Sequence, residues 1–121
     1  MLIDLHCHTR PLSACSALTA AELVSLACER GLDGICLTEH DRAWDAGELA
    51  ELRESAPIRV FSAVELTTDM GHVLAFGLDP SGFSAIARAV FAAAEASGGV
   101  LFLAHPARDG LLRVTHETVQ Y

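Results

Sequence analysis

The sequence predicts an α/β fold built on a mostly parallel sheet. Three observations carry that prediction. Strand-type and helix-type segments follow one another in the order β-α-β-α-β-β-α-β. The strand-type segments are largely continuous apolar runs, the pattern of strands covered on both faces. Imidazole and carboxylate side chains gather where those runs end, which is where α/β folds place their sites.

Each element has its own signal. Leu2 to Leu5, broken only by Asp4, reads as a buried strand. Thr19-Ala20-Ala21-Glu22 has the spacing of a capping box, and Leu23, Val24, Leu26 and Ala27 continue at helical spacing. Gly31 suits the position just past that helix. Gly34 to Thr38 reads as the second strand. Asp45 to Glu54 is a weaker helix, with Asp45 and Glu48 in capping positions. Ile58 to Leu66 and His72 to Leu78 are the third and fourth strands. Phe83, Ile86, Ala87, Val90, Phe91 and Ala94 mark one face of a helix that Gly98-Gly99 stops. Val100 to Ala104 is the fifth strand. Residues 107–121 show no strong period.

A chain of 121 residues has room for one domain. Apolar residues at 51% and charged residues at 20% describe a globular chain. With 16 acidic and 8 basic residues the net charge is −8, and no basic run occurs. This argues against a nucleic-acid backbone as partner. The N-terminus has neither a basic stretch nor a long apolar one, so no signal peptide or membrane span is expected, and a cytoplasmic protein is. The four cysteines form no CxxC pair, which weakens zinc-ribbon and thioredoxin-type readings. Cys28 and Cys36 read as buried free thiols.

Metal-type ligands stand at the strand ends. His6 and His8 follow the first strand, and residues two apart in extended backbone share a face. His40, between Glu39 and Asp41, follows the second strand. Glu65 ends the third, where its two oxygens suit a bridge between cations. His105 follows the fifth. His72 opens the fourth strand, the wrong end if that strand is parallel; an antiparallel or later-starting strand would repair this. Histidine with carboxylate suits Zn²⁺, Mn²⁺ or Fe and does not choose among them. Arg10 and Arg108 could hold a phosphate bidentately, or be solvated loop arginines. His116 reads as a surface residue and Trp44 as packing at a helix start.

These segments, in this order, resemble the PHP domain family (polymerase and histidinol phosphatase). Asp4-Leu5-His6-Cys7-His8-Thr9 resembles its first motif, and Leu37-Thr38-Glu39-His40-Asp41 its second. Ala63-Val64-Glu65-Leu66 resembles the segment with the bridging glutamate. Gly71 to Gly77 resembles a histidine-bearing strand, and Leu103-Ala104-His105-Pro106 the later His-Pro motif. The likeness runs from residue 2 to about 108. It implies a distorted seven-stranded (β/α) TIM-like barrel, here cut to about five strands and three helices. It also implies two or three divalent metal ions (Zn, Mn or Fe) and phosphoester hydrolysis, on substrates ranging from histidinol phosphate to nucleotides and DNA ends; a small phosphorylated substrate is expected here. His6, His8, Glu65, His105 and His72 would hold the first two ions, and His40 would belong to a third. Metal-activated water would attack, with Arg10 or Arg108 on the phosphate oxygens. Asp4 and Asp41 would orient ligand histidines, and Asp41 could accept a proton.

Two departures stand out. Family members carry a ligand shortly after the first motif, where this chain has Ser13-Ala14-Cys15-Ser16. Cys15 could substitute for that ligand, but it is read as a buried free thiol, so the third metal is expected to be weak or absent. The closing Asp-x-His motif is missing, and a full barrel of this kind needs roughly 200 residues or more. The chain is therefore expected to be a truncated form or the N-terminal portion of a longer one, with open sheet edges that a homodimer could complete. Rival readings are a metal-binding but catalytically incomplete piece and a proofreading-type domain of a DNA polymerase. An amidohydrolase with a carbamylated-lysine bridge is excluded, because the chain has no lysine.

Overall fold

A computed structural model describes residues 1–107. Arg108 and His116 lie outside the described residues. The chain divides into two compact units, Met1–Val64 and a second that begins at Glu65.

The first unit holds β1 (Ile3–Cys7), α1 (Ala20–Glu29), β2 (Gly34–His40), α2 (Ala46–Ser55) and the start of β3 (Arg59–Thr68). Strand β1 pairs parallel with β2, Ile3 opposite Gly34 and Cys7 opposite Leu37. Between Asp4 and Cys7 the register slips, so β1 carries one residue more than β2 there. Such bulges re-aim side chains, and His6 lies within this one. The start of β3 lies beside the start of β2, since the Arg59 amide donates to the Asp33 carbonyl at 3.1 Å. That makes β2 and β3 parallel. A Cβ on Gly34 would come within 2.8 Å of the Arg59 carbonyl oxygen, so only glycine admits this approach.

Strand β2 is the centre of the core. Ile35, Cys36, Leu37, Thr38 and Glu39 are all buried. Ile35 and Leu37 pack with Cys7, Val24, Ala27, Leu49 and Val60. Each such aliphatic side chain contributes about 1.5–3 kcal/mol on burial. Helix α1 starts at Thr19, whose hydroxyl accepts from the Glu22 amide while the Glu22 side chain accepts from the Thr19 amide. It ends before Gly31, which takes φ +77°. Asp45 caps α2, accepting from the Gly47 and Glu48 amides.

The second unit holds the end of β3, then β4 (Gly71–Phe76), a 3₁₀ turn (Pro80–Gly82), α3 (Ala87–Ser97) and β5 (Val100–Leu103). Two residues join β3 to β4. Only an antiparallel pair can be joined so tightly. The Thr68 hydroxyl closes the turn on the Gly71 carbonyl at 2.6 Å. Strand β4 is also antiparallel to β5, Val73 opposite Leu103 and Phe76 opposite Val100. Helix α3 buries Ala87, Val90 and Ala94.

The α/β class, five strands and three helices match the expectation; several details correct it, first that the sheet is mixed and not mostly parallel, since the tight β3–β4 hairpin makes β4 antiparallel to β3 and its register makes it antiparallel to β5. The first strand is not buried: Leu2 and Leu5 are exposed, and the strand continues to Cys7. Continuous apolar runs do not mean two covered faces at β5, where Val100 and Phe102 are exposed. Helix α3 begins at Ala87, not near Phe83. Ile86 is exposed and offers no side-chain cap, and the carboxylate of Asp69 from the β3–β4 turn instead accepts from the Ala87 amide at 2.8 Å. Cys15 and Cys28, expected to be buried, are exposed, whereas Cys36 is buried. Among the described residues no helix is long and apolar enough to cross a membrane.

Candidate metal centre

Each unit brings a set of ligand-type side chains together. In the first unit they are His6, His8 and His40. His6 in the β1 bulge and His8 just past the strand come together, and their Nε2 atoms lie 3.0 Å apart. Two nitrogens bound about 2.0–2.1 Å from one Zn²⁺ would be about 2.9–3.4 Å apart. The pair already has the separation of two ligands on one cation. The rings of His8 and His40 stack, centroids 4.4 Å apart and planes inclined by 13°.

A buried carboxylate holds this arrangement. Glu39 has no solvent exposure. It accepts from the amide and hydroxyl of Thr9, the hydroxyl of Ser13 and, at 3.1 Å, the indole N–H of Trp44. A buried carboxylate is costly unless so satisfied. Ser13 spends its one proton on Glu39, so its oxygen can only accept elsewhere. It does so from the His40 amide at 3.3 Å and faces His8 Nδ1 at 3.4 Å. Ser13 can therefore accept a hydrogen from His8 Nδ1, the tautomer in which Nε2, facing His6, is the basic nitrogen. Trp44, read from sequence as packing, is thus also a hydrogen-bond donor to this anchor.

Cys7 sits on β1 next to these histidines but is not a ligand candidate. Burial, then the neighbouring Asp4 carboxylate, pushes its thiol up to about 12. Asp4 accepts from the His6 amide at 3.1 Å, so it fixes backbone rather than an imidazole in the described contacts. Asp41 follows His40 with φ +55°. Arg10 lies on the surface, 3.5 Å from the Glu22 carboxylate.

In the second unit the set is Glu65, His72 and His105. Glu65 is buried, 1% exposed. His72 Nδ1 and His105 Nε2 each lie 2.9 Å from the same oxygen, Glu65 Oε1. The hairpin explains how His72 gets there. Strand β4 runs back along β3, so its first residues stand beside the end of β3. The His72 carbonyl accepts from the Ala104 amide at 2.9 Å, one residue before His105. The question of the wrong strand end is settled by the antiparallel strand. Carboxylate and imidazoles converging at 2.9 Å fit a shared cation by the same arithmetic.

Sequence reasoning passed over Glu39, Ser13 and Thr9 as functional residues. Their only sequence signal is that a carboxylate interrupts an otherwise apolar strand, and a buried charge there demands donors.

The comparisons with known proteins agree with this chemistry. The model of the PHP domain matches residues 4–113. An error-prone DNA polymerase from Cutibacterium acnes is 28% identical over 108 residues, covering 79% of this chain and 10% of the polymerase. A structure from Bifidobacterium adolescentis, assigned as a metal-dependent phosphoesterase, is 33% identical with TM-score 0.56, over 66% of this chain and 29% of that one. An amidohydrolase from Chromobacterium violaceum with bound sulfate and no metal is 30% identical with TM-score 0.53, over 67% of this chain and 29% of that one. The chain thus spans less than a third of each of these relatives.

Proposed function

The chain belongs to the PHP domain family, and from that membership we propose that it is a metal-dependent phosphoesterase acting on a small phosphomonoester or nucleotide-type phosphoester. The observation that carries this is the convergence of His72 and His105 on one oxygen of buried Glu65. A buried carboxylate facing two imidazoles is a donor set for a divalent cation such as Zn²⁺, Mn²⁺ or Fe²⁺. His6 and His8, with adjacent Nε2 atoms, are a second donor set. When bound, such cations polarise a phosphoryl oxygen and lower the pKa of coordinated water.

The chain's own residues supply the rest. Ser13 keeps the His8 ring oriented through Nδ1, and Glu39 keeps Ser13 in place. Asp41, at the end of β2, accepts a proton in this reading. Arg10 holds a phosphate oxygen only after leaving Glu22, an exposed pairing that is cheap to break. Arg108 is assigned the same role from its sequence position.

The test is hydrolysis by the purified chain loaded with Mn²⁺, Zn²⁺ or Fe²⁺. p-Nitrophenyl phosphate and a single-stranded oligonucleotide serve as substrates. The expected result is release of nitrophenol that stops on chelation and is absent in Glu65→Gln. Hydrolysis that persists in excess chelator would overturn the reading. A second reading, action on a DNA end, is favoured by the match to the error-prone polymerase and opposed by the net charge of −8. Cleavage of the oligonucleotide in preference to the monoester would establish it. Metal uptake with neither activity would favour a catalytically incomplete piece.

A further inference from the structure

We propose that Thr68 and Asp69, in the turn between β3 and β4, are positioning residues that hold the His72 imidazole on Glu65 by tying it to the N-terminus of α3. This rests on reading Glu65, His72 and His105 as a set that takes a divalent cation. Neither residue is a ligand; together they aim one.

His72 is the second residue of β4, one step out of the turn. Local opening is easiest at exposed turns and element ends. Here the peptides on both sides of the His72 Cα are tied down. The peptide before it presents the Gly71 carbonyl, which accepts from the Thr68 hydroxyl at 2.6 Å. The peptide after it presents the His72 carbonyl, which accepts from the Ala104 amide at 2.9 Å. With both planes fixed, the Cα–Cβ bond has one direction, and only the side-chain rotamers remain. From there His72 Nδ1 meets Glu65 Oε1 at 2.9 Å.

Thr68 is itself held. Its hydroxyl oxygen accepts from the Met70 amide at 3.3 Å, so the hydroxyl both donates and accepts within the turn. Asp69 then joins the turn to α3 twice. Its amide donates to the Ala85 carbonyl at 2.9 Å, and its carboxylate accepts from the Ala87 amide at 2.8 Å. Helix α3 has no side-chain cap of its own, so the Asp69 carboxylate supplies the acceptor its first turn lacks. The benefit runs both ways. The helix gains a cap, and the turn gains an anchor fixed by the buried Ala87, Val90 and Ala94.

Two measurements on the whole chain test this. One is Zn²⁺ affinity, by competition with a chromophoric chelator. The other is the His72 ring tautomer of the metal-free chain, from its imidazole nitrogen chemical shifts. Affinity should fall roughly 10–100-fold in Thr68→Val and recover in Thr68→Ser, which keeps the hydroxyl. Asp69→Ala should lose affinity less steeply, and Asp69→Asn, which keeps an accepting oxygen, should recover it. The metal-free wild type should hold one His72 tautomer, with its proton on Nδ1 toward Glu65, and Thr68→Val should show a mixture. Loss of stability alone would not change the tautomer of the folded chain. Unchanged affinity and tautomer in both Thr68→Val and Asp69→Ala would overturn the proposal, as would equal losses in Thr68→Ser and Thr68→Val. If Thr68→Val does not fold, the two Asp69 variants carry the same test at an exposed position. A wild type that takes no Zn²⁺ would overturn the metal reading alone, and the tautomers would still decide whether the turn aims His72.

Discussion

Two buried glutamates lie within strands that follow one another in sequence, Glu39 in β2 and Glu65 in β3, and their partners differ in kind. Glu39 in the first unit is met by an amide, two hydroxyls and an indole N–H. All four are donors that never give up their role near neutral pH. Glu65 in the second unit is met by two imidazoles. Those nitrogens can exchange a proton for a metal ion. Burial alone does not separate the two, since both are 1% exposed or less. The identity of the donors does: in the proposed function Glu39 is a support and Glu65 a metal ligand.

The largest test of that contrast is Glu65→Gln. Bound metal, read by elemental analysis, should fall, and hydrolysis should drop by more than roughly a hundredfold, beyond the range for residues that only support ligands. Unfolding in urea should change less than in the next variant. Glu39→Gln should do the reverse in emphasis. Its amide nitrogen faces donors, which costs about 1–3 kcal/mol for each group left unsatisfied. Metal affinity should fall by roughly 10–100-fold through misplacement of Ser13 and His8. If Glu39→Gln left stability and affinity intact while Glu65→Gln unfolded the chain, the assignment would be inverted.

Trp44→Phe removes one donor from Glu39 and keeps the ring. The expected loss is about 1 kcal/mol in urea unfolding, with metal content unchanged. The smallest effect is on the thiols of the first unit. Burial pushes Cys7 up to about 12 and Cys36 up to about 11, from an ordinary 9.0. A raised thiol pKa favours the protonated folded chain. That contribution is complete below pH 9 and fades as pH rises through 11 and 12. Mass spectrometry after alkylation at pH 8.5, roughly the pKa of an exposed thiol, should find Cys15 and Cys28 modified and Cys7 and Cys36 intact.

Much of the first unit is legible in the sequence. Thr19 and Glu22 announce a capping box, Gly31 a left-handed stop, and Gly34 to Thr38 a buried strand; each is a local signal and each is present in the fold. The spacing of His6 and His8 is equally local. What the sequence conceals is set by distant partners. The start of α3 depends on Asp69, eighteen residues upstream of Ala87. The placement of His72 depends on a hairpin that apolar runs cannot distinguish from a crossover. The meaning of Glu39 depends on Ser13, twenty-six residues away. Cys15 looked like core because free cysteine is among the most often buried residues, yet it is exposed.

The left-handed backbone at Asp41 and His105 has an evolutionary consequence. Each stands where the chain leaves a strand and must turn sharply. Aspartate, asparagine and histidine tolerate that conformation better than other non-glycine residues, and β-branched ones resist it. Selection at position 105 therefore acts twice, once on the imidazole and once on the peptide that carries it. A histidine retained there across relatives would overstate how much of its persistence is owed to metal. Asparagine separates the two pressures: it keeps the turn and discards the ligand.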